Sequence, residues 1–168
     1  METDLLVGTV QSGGTIRAVP LAEVRVTVYE ATANAPLAVG TAKTDATGTF
    51  SLDASRTTSD GIFYALASLG GGVQLVTVIG PRIPAFITIN ELTTVAAAFS
   101  TAQFARDGVI AGNAFGLRIA AGMNGNLVSP LTGASSPVLL SSPNEDETNS
   151  HSCARPTVSS TRRATSGP

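Results

Sequence analysis

Between residues 4 and 89 the chain alternates apolar and polar positions in short runs separated by turn-forming residues. The clearest run is Val24-Arg25-Val26-Thr27-Val28-Tyr29-Glu30. Val24, Val26 and Val28 fall on one side and Arg25, Thr27 and Tyr29 on the other, which is the period of a half-buried strand. Six further runs, Leu6 to Val10, Leu37 to Thr44, Thr49 to Leu52, Gly61 to Leu69, Val73 to Ile79 and Phe86 to Ile89, bring the expected strands to seven. The segments between them carry turn chemistry. Gln11 to Thr15 is polar and glycine-rich, Asp45-Ala46-Thr47-Gly48 has an acid able to bond its own backbone, and Gly70-Gly71-Gly72 marks a hairpin. Seven short strands with frequent turns predict a mainly β fold, an antiparallel sandwich over residues 4–89.

The period changes at Asn90. The side-chain oxygen of Asn90 suits a helix N-cap, and Glu91 complements the positive end of the helix. Leu92, Val95, Ala96, Phe99 and Ala102 then recur at helical steps until Asp107-Gly108. A second helix is expected from about Asn113, with Phe115, Ile119 and Met123 four residues apart and Asn124-Gly125-Asn126 closing it. Residues 90–128 therefore read as a helical connector whose two apolar stripes need a partner, either the sandwich or a missing neighbour. Residues 129–168 show no sustained period. Ser, Thr and Pro dominate there, with the acidic cluster Glu145-Asp146-Glu147, and the segment is expected to be a disordered tail.

Composition narrows the chemistry. Charged residues are 13% of the 168, about half the usual share. The net charge is −2, and seven Lys and Arg spread over the first 140 residues form no basic stripe for nucleic acid. One His and one Cys cannot supply a zinc site or an intrachain disulfide. The apolar region from Val73 to Ile89 is broken by Gly80, Pro81, Arg82 and Pro84, so no membrane span is expected. The acidic start Met1-Glu2-Thr3-Asp4 lacks the pattern of a secretory signal. A cytoplasmic location follows if Met1 is the true start.

Three stretches together carry a resemblance: Val7-Gly8-Thr9-Val10, Pro20-Leu21-Ala22-Glu23-Val24-Arg25-Val26-Thr27-Val28 and Thr44-Asp45-Ala46-Thr47-Gly48-Thr49-Phe50-Ser51-Leu52. This series resembles the carboxypeptidase regulatory-like domains, relatives of the transthyretin-like and collagen-adhesin B-type sandwiches. The resemblance covers about half the chain. It implies a seven-stranded prealbumin-like sandwich with an accessory or adhesive role, extracellular or on the cell surface of a bacterium. The segment from Asn90 to Val128 resembles one that follows such a sandwich in uncharacterised exported bacterial proteins. In similar chains the stretch matching Pro143 to Asn149 continues into another Leu- and Ala-rich helix, whereas here His151-Ser152-Cys153-Ala154-Arg155-Pro156 leads into a Ser/Thr/Arg tail. That departure fits translation out of frame, or a truncated gene end, from about Ser150. Reading the coding DNA in the other two frames tests it.

Candidate chemistry is sparse. The hydrolases of the transthyretin-like branch imply His, Arg and Ser/Thr, and residues 4–89 hold no His. Cys153 with His151 beside it reads as an incidental thiol. An internal isopeptide bond, which the collagen-adhesin resemblance raises, needs a Lys on the first strand, and the single Lys43 falls on a middle one. Asp45, Asp53, Asp60 and Glu23 are calcium-type oxygens but do not share a tight loop. Gly70-Gly71-Gly72 lacks the Lys-Ser/Thr of a phosphate loop, and Gly112 and Gly116 have a close-packing spacing. Arg155, Arg162 and Arg163 are three dispersed cations in the tail. No catalytic, cofactor or metal residue is assigned. The expected role is a non-catalytic accessory or adhesive module, a monomer or part of a larger chain, meeting a protein or glycan at the cell surface. The alternatives are a carbohydrate- or ligand-binding module, with Tyr29, Phe63 and Tyr64 as the surface candidates, and a fragment of a larger multidomain enzyme.

Overall fold

The computed structural model describes residues 3–13, 17–55 and 60–136. The tail readings beyond 136, including His151, Cys153, the arginines and the departure near Ser150, lie outside the described residues. The chain runs β1 (Thr3–Ser12), β2 (Val19–Pro20), β3 (Arg25–Ala31), β4 (Leu37–Lys43), β5 (Thr49–Ser55), β6 (Ile62–Gly70), β7 (Val73–Gly80), β8 (Phe86–Ile89), α1 (Glu91–Ser100), β9 (Ala105–Arg106), β10 (Val109–Ile110) and α2 (Ala114–Leu127). The fold is mainly β with two helices. Ten strands are present among the described residues, not seven. The three additions, β2, β9 and β10, have two residues each, too few for alternation to be read.

One sheet has the order β4-β3-β6-β7; in the other, β1 lies between β5 and β8 and also pairs β2. The pairings are antiparallel except that of β8, which runs parallel to β1, Val7 facing Phe86 and Val10 facing Ile89. The expected purely antiparallel arrangement is corrected here. After β7 the chain passes to the other sheet through the proline-bearing segment Pro81 to Ala85 and enters it alongside β1.

The inward residues of both sheets form one apolar cluster. Leu6, Val10, Phe50, Leu52 and Ile87 come from one side, and Val26, Val28, Val39, Phe63 and Ala65 from the other. Gly8 makes room for Phe50, since a Cβ at Gly8 would meet the Phe50 ring and the Ile87 carbonyl. The β4-β3-β6-β7 sheet is covered on its second face too. Ala31, Ile62, Tyr64 and Val78 pack against Ala97, Ile110 and Leu117. Strand β6 is thus buried on both sides from Ile62 to Ala67, which explains its nearly continuous apolar sequence.

Helix α1 begins where expected. Asn90 Oδ1 accepts the Thr93 N–H at 2.9 Å, and Thr93 Oγ1 accepts the Asn90 N–H at 3.0 Å, a reciprocal cap. It ends at Ser100, short of the predicted Asp107-Gly108. That dipeptide instead turns the β9–β10 hairpin, with Arg106 opposite Val109 and φ of 51° and 79° at Asp107 and Gly108. Two consecutive left-handed residues suit a two-residue hairpin loop. Helix α2 starts at its Asn113 cap, whose Oδ1 accepts the Gly116 N–H at 2.8 Å, and runs through Asn124-Gly125-Asn126 to Leu127. Gly112 and Gly116 do form a close contact, but with Phe104, whose ring occupies the space that a Cβ at either glycine would take. Residues after α2 bond back to the sheet. The Thr88 N–H donates to the Pro130 carbonyl at 2.8 Å, and Asn90 Nδ2 donates to the Gly133 carbonyl at 2.9 Å. Among the described residues no helix is long and apolar enough to cross a membrane.

Candidate functional site

The side chains that dock α1 are small and hydroxylic. Thr93, Ala96, Ala97 and Ser100 are its buried residues. Strand β7 is an edge of its sheet, and an edge leaves backbone groups without strand partners. Two threonines of α1 meet that need: the Val76 N–H donates to Thr94 Oγ1 at 2.9 Å, and Thr93 Oγ1 donates to the Val76 carbonyl at 2.9 Å. Ser100 Oγ then donates to Asn124 Oδ1 at 3.3 Å, tying α1 to α2. On α2 the buried residues are Leu117, Ala120 and Asn124.

This docking turns the large side chains of the predicted stripes outward, while Ala96 of the α1 stripe stays buried. Val95 and Phe99 are each 67% exposed and Phe115 is 77% exposed; Leu92, Ile119 and Met123 are exposed as well. Leu92, Val95 and Phe99 of α1 line a groove of about 350 Å³ with Leu127 of α2. Leu127 continues the Phe115-Ile119-Met123 series at the same four-residue step. Exposed apolar residues of the two helices thus meet at this groove and continue along α2 as an apolar face. It carries no charge: the charged residues of this region are Glu91 at the start of α1, Arg106 and Asp107 in the hairpin, and Arg118. Arg118 Nη2 is held by Asp60 Oδ1 at 2.9 Å.

The aromatic surface candidates are placed differently. Phe63 and Tyr64 are buried, contrary to their reading as surface residues, because both faces of β6 are covered. Phe63 belongs to the core between the sheets. Tyr64, 1% exposed, lies beneath α1, where its Oη accepts the Ile110 N–H at 3.4 Å and lines a cavity of about 160 Å³ with Val76, Thr94 and Thr101. Burial lifts its phenol above the usual value, and the Ile110 N–H partly offsets this. Tyr29 is half-buried, its ring stacked on that of Tyr64 with centroids 5.4 Å apart.

A buried acid escaped the sequence reading. Glu30 is 0% exposed, and neither carboxylate oxygen has a hydrogen-bond partner among the described residues. Burial raises its pKa above the ordinary carboxylate value. The signal for it was the alternation itself: Glu30 stands two residues after Val28, on the side of the strand that faces the core.

Other candidates have ordinary structural roles. Asp45 Oδ1 accepts the N–H groups of Thr47 and Thr49 at 2.8 and 3.0 Å and the Thr47 hydroxyl at 2.7 Å. These bonds hold its carboxyl below the usual range, the Thr47 hydroxyl foremost. Lys43 pairs with Glu23 in the open, while the amide of Asn90 is committed to Gly133. Among the described residues no group of three or more His, Cys, Asp or Glu is placed to hold a metal ion. No protein-family model matches the chain, and no curated protein matches it.

Proposed function

We propose that the chain is a non-catalytic accessory or adhesive module of a secreted or surface bacterial protein, a β-sandwich of the carboxypeptidase regulatory-like kind. It works by docking, and its docking element is the helical layer. The carrying observation is the uncharged apolar face of α1 and α2, with Val95, Phe99 and Phe115 each at least two-thirds exposed. The shared core of the two sheets supports the sandwich, since side chains from both interdigitate as in face-to-face packing. The sandwich supplies a rigid base, and the helices supply the surface that a partner meets.

The carbohydrate-binding alternative needs an open aromatic platform. Tyr29 contributes only a half-buried ring already stacked on Tyr64, and Phe63 and Tyr64 are buried. A glycan array run with the full chain, beside reporter substrates for ester, peptide and glycoside hydrolysis, tests the reading. The expected result is neither sugar binding nor turnover. Saturable sugar binding that disappears in Tyr29→Ala would favour the alternative, and turnover would favour the enzyme fragment.

A further inference from the structure

We propose that the helical face is an interface between two copies of this chain, with α2 packed antiparallel on α2 of the second copy. The proposal rests on the docking reading above and names the partner of that surface.

Extent is the first argument. An aromatic side chain has about 150–250 Å² of surface to bury, so Phe99 and Phe115, at 67% and 77% exposure, leave about 250 Å² open between them. Leu92, Val95, Ile119 and Met123 are exposed on the same helices and add about as much again. A symmetric contact counts this area twice, giving about 1,000 Å² in total, at the threshold of a specific interface. The half of it on one copy, about 500 Å², stands at the upper end of what a monomer carries.

Charge is the second argument. In a twofold contact a group close to the axis meets its own copy, so a charge there would face its like. The stripe Phe115-Ile119-Met123-Leu127 contains none, and Arg118 is occupied by Asp60.

Register is the third argument. The stripe runs from residue 115 to residue 127, so its midpoint falls at Ala121. Antiparallel pairing about a twofold axis at the level of residue 121 sets Phe115 beside the second copy's Leu127 and Ile119 beside its Met123. Leu127 forms one wall of the groove with Val95 and Phe99. Phe115, the most exposed large side chain of the pair of helices, therefore enters the second copy's groove, and the contact is reciprocal. Gly122, with nothing near its Cβ position, lets the helices approach closely at the axis.

Sedimentation velocity on the full chain, from low micromolar to near-millimolar concentration, tests this. The expected species has twice the chain mass of 17.0 kDa. Ile119→Lys/Met123→Lys and Ile119→Glu/Met123→Glu should each weaken self-association by at least about tenfold, and mixing the two should restore a dimer. Val73→Asp, an exposed apolar position on another element, should leave association unchanged. Circular dichroism of each variant confirms that it is folded. Three results overturn the proposal: a monomeric full chain, a dimer indifferent to both charge pairs, or a monomer that dimerises only after removal of residues 137–168. None of these touches the glycan and turnover assays, so the wider docking reading can stand when this interface fails.

Discussion

The two faces of the β4-β3-β6-β7 sheet are covered in opposite ways. Toward the other sheet it meets large apolar side chains, Phe50, Leu52 and Ile87 among them. Toward the helices it meets mainly small and hydroxyl-bearing side chains, Thr93, Thr94, Ala97 and Ala120, with Leu117 of α2 and Ile110 of the β9–β10 hairpin the large exceptions. On the first face apolar periodicity and burial coincide. On the second they part, because α1 must satisfy the backbone of edge strand β7 and only short side chains let it come close enough. An apolar stripe on a helix predicts that something covers it; it does not name the covering surface.

The contrast breaks most easily in the core between the sheets. Phe50→Ala removes the ring lodged over Gly8 and should cost about 3–5 kcal/mol in denaturant unfolding. A loss under about 1 kcal/mol would mean that the two sheets do not share that core. In the helical layer, Leu117→Ala should cost about 2–4 kcal/mol. Phe115→Ala, two residues away, should change the stability of the dilute protein by no more than about 0.5 kcal/mol. Equal losses at the two positions would erase the distinction between the faces of α2.

Glu30 sharpens the contrast from the polar side, as an unpartnered acid on the core side of β3. Its folded pKa is raised by burial, so the folded state holds the proton to higher pH than the unfolded state does. Its contribution is complete below the ordinary carboxylate range. Stability then falls as pH rises through the raised value and levels off above it. Glu30→Gln should flatten that fall and, above the raised value, stabilise the protein by about 1–3 kcal/mol. Thermal melts across pH measure it, and an unchanged profile would mean that the carboxylate has found a partner. The smallest effect is expected at Asp45. Its lowered pKa contributes stability above the ordinary carboxylate range that is lost as pH falls through the lowered value. Asp45→Ala should lower stability slightly above that range and flatten the acid limb of the same profile.

Much of this was legible in the chain because it is local. The alternation at Val24, Val26 and Val28 found the inner face of β3, Asn90 and Asn113 found both helix starts, and Asp45 found its turn. What was missed depends on distant partners. The Asp107-Gly108 hairpin was read as a helix stop because a two-residue strand on either side offers no period. Phe63 and Tyr64 stand out as aromatic surface candidates only because aromatics are few, and neither reaches the surface because both faces of β6 are covered. The docking face of α1 is invisible in the sequence because Thr93 and Thr94 find their partners only when the edge of β7 lies against them.

The orientation of α1 is the point on which the helical surface depends, and a pair of charge substitutions tests it directly. Ala97→Asp and Val95→Asp place the same carboxylate two residues apart on one helix. Thermal and denaturant unfolding would be measured at a dilution where both variants sediment as monomers. Ala97→Asp is expected to destabilise by about 3 kcal/mol or more, through an unpaired buried charge, while Val95→Asp stays within about 0.5 kcal/mol of the parent. The reverse order, with Ala97→Asp tolerated and Val95→Asp unfolding the protein, would contradict this orientation.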